Sequence, residues 1–226
     1  MNSYVIHLIR HGMTEANLNG QYAGAWDIPV CDEGEEKLRN LKNNFEYPTI
    51  ERIYTSPLTR CKQTSGIIYP DMSPIIVDGL KECSFGDWEG KTHIELSDDP
   101  IHLEWLKKGG GVTPPNGESW ASMFKRVSES FENIVKSMMT QKIFSAAIFT
   151  HGGVIMSILC NYGLPKANFL DWMVDNGCGY SVRITPGLWM RDKVFEVYDK
   201  LPLGADISIS GKFKSLISNI CQNKEN

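Results

Sequence analysis

Short apolar runs alternate along the chain with stretches whose apolar positions recur every three or four residues. The two clearest runs are Tyr4-Val-Ile-His-Leu-Ile9 and Ser145-Ala-Ala-Ile-Phe-Thr150. The pattern predicts strands over 4–10, 52–56, 74–77, 144–150, 179–185 and 194–199, and helices over about 33–44, 58–68, 118–141 and 153–162. Strand followed by helix, repeated, predicts an α/β fold of three layers, α/β/α, around a mostly parallel central sheet. Residues 84–117 break the rhythm with Gly86, Gly90, Gly109-Gly110-Gly111 and Pro114-Pro115. Such punctuation predicts a small irregular lid inserted between core elements of a single domain over 1–202. Residues 203–226 are polar and end Gln-Asn-Lys-Glu-Asn. They read as a loose tail with one short helix, whose Phe213, Leu216, Ile217 and Ile220 pack on the core, fold over the mouth of a site or pack on a partner.

Composition narrows the classes. The chain has 226 residues, enough to bury a sizeable core, and 23 Lys and Arg against 27 Asp and Glu leave a net charge of −4. No global field therefore draws the chain to nucleic acid or an anionic membrane, and any attraction for an anionic substrate must be local. No apolar stretch approaches the roughly 20 residues that span a bilayer. The six cysteines form no Cys-x-x-Cys pair, and a strand-like pattern stands at the N-terminus where a signal peptide would lie. These features predict a reduced, cytoplasmic protein; a monomer or a homodimer is expected.

Candidate chemistry falls at the ends of the predicted elements. Arg10-His11-Gly12 follows the first strand and Thr150-His151-Gly152-Gly153 the fourth. A strand that ends in His-Gly and opens into a helix sets an imidazole beside free backbone N–H groups, where a phosphate can be held. An unprotonated nitrogen of His11 can attack phosphorus while the other donates to a backbone carbonyl. Ser56-Pro57 reads as a helix start with Ser56 as N-cap, which sets Arg60 about one turn in, near the same sheet end as His11. The planar forks of Arg60 and Arg10 suit phosphate oxygens. In Leu80-Lys-Glu82-Cys-Ser-Phe-Gly86-Asp-Trp-Glu-Gly90, Phe85 and Trp88 would desolvate a neighbouring carboxyl. That makes Glu82 a candidate general acid, with Glu89 competing for the role. Glu118-Ser119 reads as a helix start with an acid in its first turn. Each feature alone also fits an ordinary structural role.

Taken together, the motifs resemble the histidine phosphatase superfamily in its phosphoglycerate mutase-like branch. The matching pieces are Arg10-His11-Gly12-x-Thr14-x-x-Asn17, Gly20-x-Tyr-x-Gly24-x-x-Asp27-x-Pro29, Ser56-Pro-Leu-x-Arg60-x-x-Gln-Thr64, Leu80-x-Glu82-x-x-Phe-Gly86-x-Trp-Glu-Gly90, Pro115-x-Gly-Glu118-Ser119 and Thr150-His151-Gly-Gly153. They stand in the family's order and cover roughly residues 4–185. The resemblance implies that His11 is the phosphorylated nucleophile and Glu82 the proton donor. Arg10, Arg60 and His151 would clamp the transferring oxygens, and Asn17, Gly24 and Gly152 would line the substrate pocket. It implies no metal and no organic cofactor.

Departures from the family pattern bear on substrate. Met13 stands where relatives often have Glu or Gln, Val30-Cys31-Asp32 replaces the usual start of the next helix, and Asn176-Gly-Cys-Gly179 is expected to widen a pocket wall. Between Glu82 and Glu118 the chain is far shorter than in the mutases of this fold, so water can reach a phosphohistidine. With His151-Gly-Gly in place of His-Gly-Asn, this favours a phosphatase, of the α-ribazole phosphatase type, over a mutase. A non-catalytic phosphate-binding relative would have lost a charged pocket residue, and none is lost. His7 reads as a strand residue, and His93 and His102 as lid or surface residues without metal-ligand spacing.

Overall fold

A computed structural model describes residues 2–206 of the chain. The tail helix expected beyond Asp206, with its four apolar residues, lies outside the described residues. In chain order the elements are β1 (Tyr4–Arg10), α1 (Glu15–Leu18), α2 (Asp32–Asn44), β2 (Arg52–Thr55), α3 (Thr59–Ile68), β3 (Ile75–Ile76) and α4 (Pro100–Lys107). Then come α5 (Trp120–Gln141), β4 (Ser145–Thr150), α6 (Gly152–Tyr162), β5 (Gly163–Leu164), β6 (Gly179–Ile184), α7 (Pro186–Asp192) and β7 (Phe195–Leu201). The strands form one sheet in the order β3-β2-β4-β1-β6-β7-β5. Only β6 runs against the rest, antiparallel to both β1 and β7. The sheet is thus mixed but mostly parallel, as the strand and helix alternation predicts.

Period-two alternation in the strands produces the three layers. On β1, β2 and β4, residues Ile6, Leu8, Tyr54, Ala146 and Ile148 enter one apolar cluster. Their neighbours Ile9, Ile53, Ala147 and Phe149 enter a second, on the other face. The first is covered by α5, whose Met123, Val127, Phe131, Ile134, Val135 and Met138 recur at helical spacing and are all buried. The second holds Leu38 of α2 with Cys61 and Ile68 of α3. Both histidines of interest stand at the same end of the sheet, because β1 and β4 are parallel neighbours with Arg10 opposite Thr150.

Several local expectations need correction. The lid is not irregular throughout: Gly86–Trp88 form a 3-10 turn, and α4 starts at Pro100 behind Asp99, whose carboxylate caps Ile101 and His102. Tyr22 packs among the rings of Phe85, Trp88, His102 and Trp105. His102 is therefore no surface residue: it is fully buried, and it hydrogen-bonds the Tyr22 hydroxyl at 2.9 Å and the Leu96 carbonyl at 3.1 Å. Ser56 is not an N-cap, since α3 starts after Leu58. Glu118 lies before the Ser119 cap of α5, outside the helix, where it pairs with Arg126 and accepts from the Ser122 hydroxyl. Leu203, expected in the loose tail, forms a bridge with Glu46 and packs on the second cluster.

Candidate active site

The site is built from the end of β1 outward. His11 is 5% exposed, and its Nδ1 lies 2.7 Å from the Gly12 carbonyl oxygen. A carbonyl only accepts, so Nδ1 carries the proton and the Nε2 lone pair is left available. Burial holds the imidazole well below its usual pKa, and the positive Arg60 and Arg10 act in the same direction. The backbone around it is pinned by many hydrogen bonds. The Gly12 N–H donates to Thr64 Oγ1, which itself donates to the Arg60 carbonyl. The His11 carbonyl accepts from Asn176 Nδ2 at 3.0 Å, and Asn176 also donates to Asn17 Oδ1 at 3.3 Å. Asn17 thus braces the loop after His11, and it caps its own helix turn by accepting from the Thr14 N–H.

His151, fully buried at the N-terminus of α6, has its ring 5.2 Å from that of His11. Ser56 Oγ holds Nε2 at 2.8 Å, and Cys61 Sγ lies 3.5 Å from the same nitrogen. Burial, then the charges of Arg60, His11 and Arg10, depress its pKa strongly.

Arg60 is 1% exposed and donates from Nη1 to Trp26 O and from Nη2 to Gly24 O, both at 2.7 Å. Arg10 donates from Nη1 to Val174 O at 2.8 Å. In each case Nε is buried and finds no acceptor among the described residues. A buried donor without an acceptor is costly, so both guanidinium groups have hydrogen-bonding capacity fit for an anion held between them. Burial lowers both pKa values, most directly opposed for Arg10 by Glu82 and Asp175.

Glu82 stands opposite. Its Oε1 accepts from the Cys83 N–H at 3.0 Å and its Oε2 from the Gly153 N–H at 2.9 Å. Glu89 does not compete for the same position. Its Oε1 accepts from the N–H groups of Ala25 and Phe85 and the Ser84 hydroxyl, tying two loops together. The site thus brings together Arg10, His11, Arg60, Glu82 and His151. Gly24 and Gly152 differ in their surroundings. Gly24 lies so close to the Cys83 carbonyl that a Cβ would come within 1.8 Å of it, and its own carbonyl orients Arg60. A Cβ on Gly152 would meet only ordinary contacts with Arg10, whereas one on Gly153 would lie 2.5 Å from Glu82 Oε1. The steric demand for glycine falls on Gly153.

The family whose pattern matches residues 6–196 is the histidine phosphatase superfamily (branch 1). The chain belongs to this superfamily. Histidine phosphatases similar to it include the adenosylcobalamin/α-ribazole phosphatase of Salmonella typhimurium, 27% identical over 185 residues, covering 80% of this chain and 90% of that protein. The protein of the same name from Escherichia coli is 29% identical over 182 residues, covering 78% and 88%. The solved α-ribazole phosphatase from Shigella flexneri superposes with a TM-score of 0.72 at 26% identity, covering 86% of this chain and 94% of that one. The chain is a phosphoric monoester hydrolase of the histidine phosphatase type.

Other residues of this histidine phosphatase site escape a reading by motif. Ser56 reads as a helix cap yet holds His151, and Arg126 reads as one more polar position on α5. The segment Asn176–Gly179, expected to widen a pocket wall, makes hydrogen bonds to the backbone of Arg10 and His11. Gly177, at φ +79°, sends its N–H to the carbonyls of Arg10 and His11, and the Cys178 carbonyl accepts from the Arg10 N–H. It holds the backbone of Arg10 and His11, and the positive φ explains the glycine.

Proposed function

We propose that the chain hydrolyses a small phosphate monoester, α-ribazole phosphate in particular, through a phosphohistidine on His11. His11 Nε2 attacks phosphorus as the bond to the leaving oxygen breaks, and Glu82 gives that oxygen its proton. Water then attacks the phosphohistidine and yields a proton to Glu82. The phosphorus–nitrogen bond breaks with its electron pair returning to Nε2, and inorganic phosphate leaves. Arg10, Arg60 and His151 hold the non-bridging oxygens, which suits a loose transition state that needs positioning and positive charge more than covalent machinery. The single observation that carries this reading is the pair of buried Nε–H donors on Arg10 and Arg60 flanking a histidine whose tautomer leaves Nε2 free to attack.

A groove of about 440 Å³ runs beside Glu82, lined also by Ala25, Lys81, Ser84, Asn116, Glu118 and Arg126. Asn17 and Gly152 border the phosphate, and Gly24 contributes by orienting Arg60. Metal independence belongs to this reading, supported by the lack, among the described residues, of any three His, Cys, Asp or Glu side chains gathered to hold an ion. So does a cytoplasmic location, supported by the five cysteines among the described residues, all of them free. Among the described residues no helix is long and apolar enough to cross a membrane. The test is a comparison of kcat/KM across α-ribazole phosphate, phosphoglycerates, sugar phosphates and nucleotides. A kcat/KM for α-ribazole phosphate at least tenfold above the others is expected; a higher value for another ester reassigns the substrate.

A further inference from the structure

Four consecutive backbone carbonyls leading into and including Glu82 are each held by a side chain. Arg126 Nη1 donates to Gly79 O at 3.0 Å and Lys81 O at 2.7 Å, and its Nη2 donates to Glu82 O at 3.0 Å. The Leu80 carbonyl between them accepts from Thr150 Oγ1 at 2.8 Å, one residue before His151. The remaining donors of Arg126 go to Glu118, Nε to Oε1 at 2.7 Å and Nη2 to Oε2 at 2.6 Å. All five N–H groups of the guanidinium are thereby matched, in a part-buried setting where such bonds are stronger than at a surface. The segment also lies flat on α5: a Cβ on Gly79 would come 1.8 Å from Ser130 Oγ, one turn beyond Arg126. Beyond Glu82, the Ser84 carbonyl accepts from the Glu118 N–H at 2.9 Å.

We infer that Arg126, oriented by Glu118, is a positioning residue that fixes Glu82 for proton transfer to the leaving group. This rests on the reading of Glu82 as proton donor. Arg126 makes no bond to the Glu82 carboxyl. It immobilises the backbone from which that carboxyl projects, leaving the N–H groups of Cys83 and Gly153 to set its final direction. A displacement of about 1 Å at a reacting group can cost on the order of a hundredfold in rate. Lysine cannot reproduce a planar five-donor fork, so it should restore little of the effect.

The test uses the full chain and reads the rate of phosphoenzyme formation from an alkyl phosphate, glycerol 2-phosphate, and from an activated aryl ester, p-nitrophenyl phosphate. Proton donation matters only for the alkyl ester. The alkyl-to-aryl rate ratio should fall about tenfold or more in Arg126→Met and Glu118→Gln, with Arg126→Lys close to Arg126→Met. A merely structural role would slow both esters alike and leave the ratio unmoved, and that result overturns the inference. Should Arg126→Met fail to fold, Glu118→Gln decides, because it keeps shape and polarity while removing the charge. Glu82→Gln is measured beside them. A lowered ratio there with unchanged ratios in the other variants overturns the positioning role alone. An unchanged ratio in Glu82→Gln overturns the proton-donor reading and the inference with it.

Discussion

The direction of a single hydrogen bond governs the chemistry of His11. With Nδ1 bonded to the Gly12 carbonyl, the ring presents a lone pair at Nε2, and burial beside two guanidinium groups keeps it unprotonated. Glu82→Gln should slow phosphoenzyme formation from alkyl phosphates by roughly a hundredfold or more, and from aryl phosphates far less. Glu89→Gln, which loosens only the loops at Ala25 and Phe85, should change the alkyl-to-aryl ratio little; rapid-quench rates for the two variants check both outcomes. Gly153→Ala pushes a methyl group against Glu82 Oε1 and should mimic Glu82→Gln in that ratio, whereas Gly152→Ala meets only ordinary contacts and should not. The residues proposed to react are legible in the sequence because each sits in a short motif at an element end. Ser56 and Arg126 are not, because their partners lie 95 and 44 positions away and no local spacing records such pairings.

At the scale of elements, parallel β1 and β4 deliver Arg10-His11 and Thr150-His151 to one end of the sheet, and Arg126 of α5 secures the backbone leading to Glu82. Phe131 is fully buried at the middle of α5, against the rings of Tyr162, Trp189 and Phe195. Phe131→Ala should cost about 3–5 kcal/mol in urea unfolding, while Glu129→Ala on the exposed face of the same helix should stay within about 0.5 kcal/mol. Equal effects would mean that α5 does not bury the face assigned to it. Periodicity identifies α5 because six buried positions repeat over 22 residues. It misses α1, α4 and α7, each of eight residues or fewer, in which an apolar period completes barely two turns. The two-residue β5 escapes for the same reason, and its strand character comes from pairing with β7, not from its own sequence.

For the molecule as a whole, buried neutral histidines set the response to acid. Burial pushes His7, hydrogen-bonded to Ser181 within the sheet, down to about 4 from an ordinary 6.5. The unfolded chain therefore binds this proton where the folded chain does not. Its contribution is complete above about pH 6.5 and is lost as pH falls toward 4; His11 and His151, also depressed, act in the same sense. Between pH 7.5 and 5 the loss from His7 amounts to about 2 kcal/mol, so His7→Gln should unfold with a flatter pH dependence than the parent, as urea midpoints at the two pH values would record. Activity should survive exhaustive chelation, since the positive charge at the site comes from Arg10 and Arg60; loss on chelation with rescue by a divalent ion would contradict this. The central claim is that His11 is the nucleophile, and the most direct measurement is a rapid quench of the enzyme turning over a labelled phosphate ester, with the label mapped by mass spectrometry. The account predicts an acid-labile phosphoryl group on His11 that is absent from His11→Ala. A label on a serine or cysteine, or near-parental turnover by His11→Ala, would contradict it.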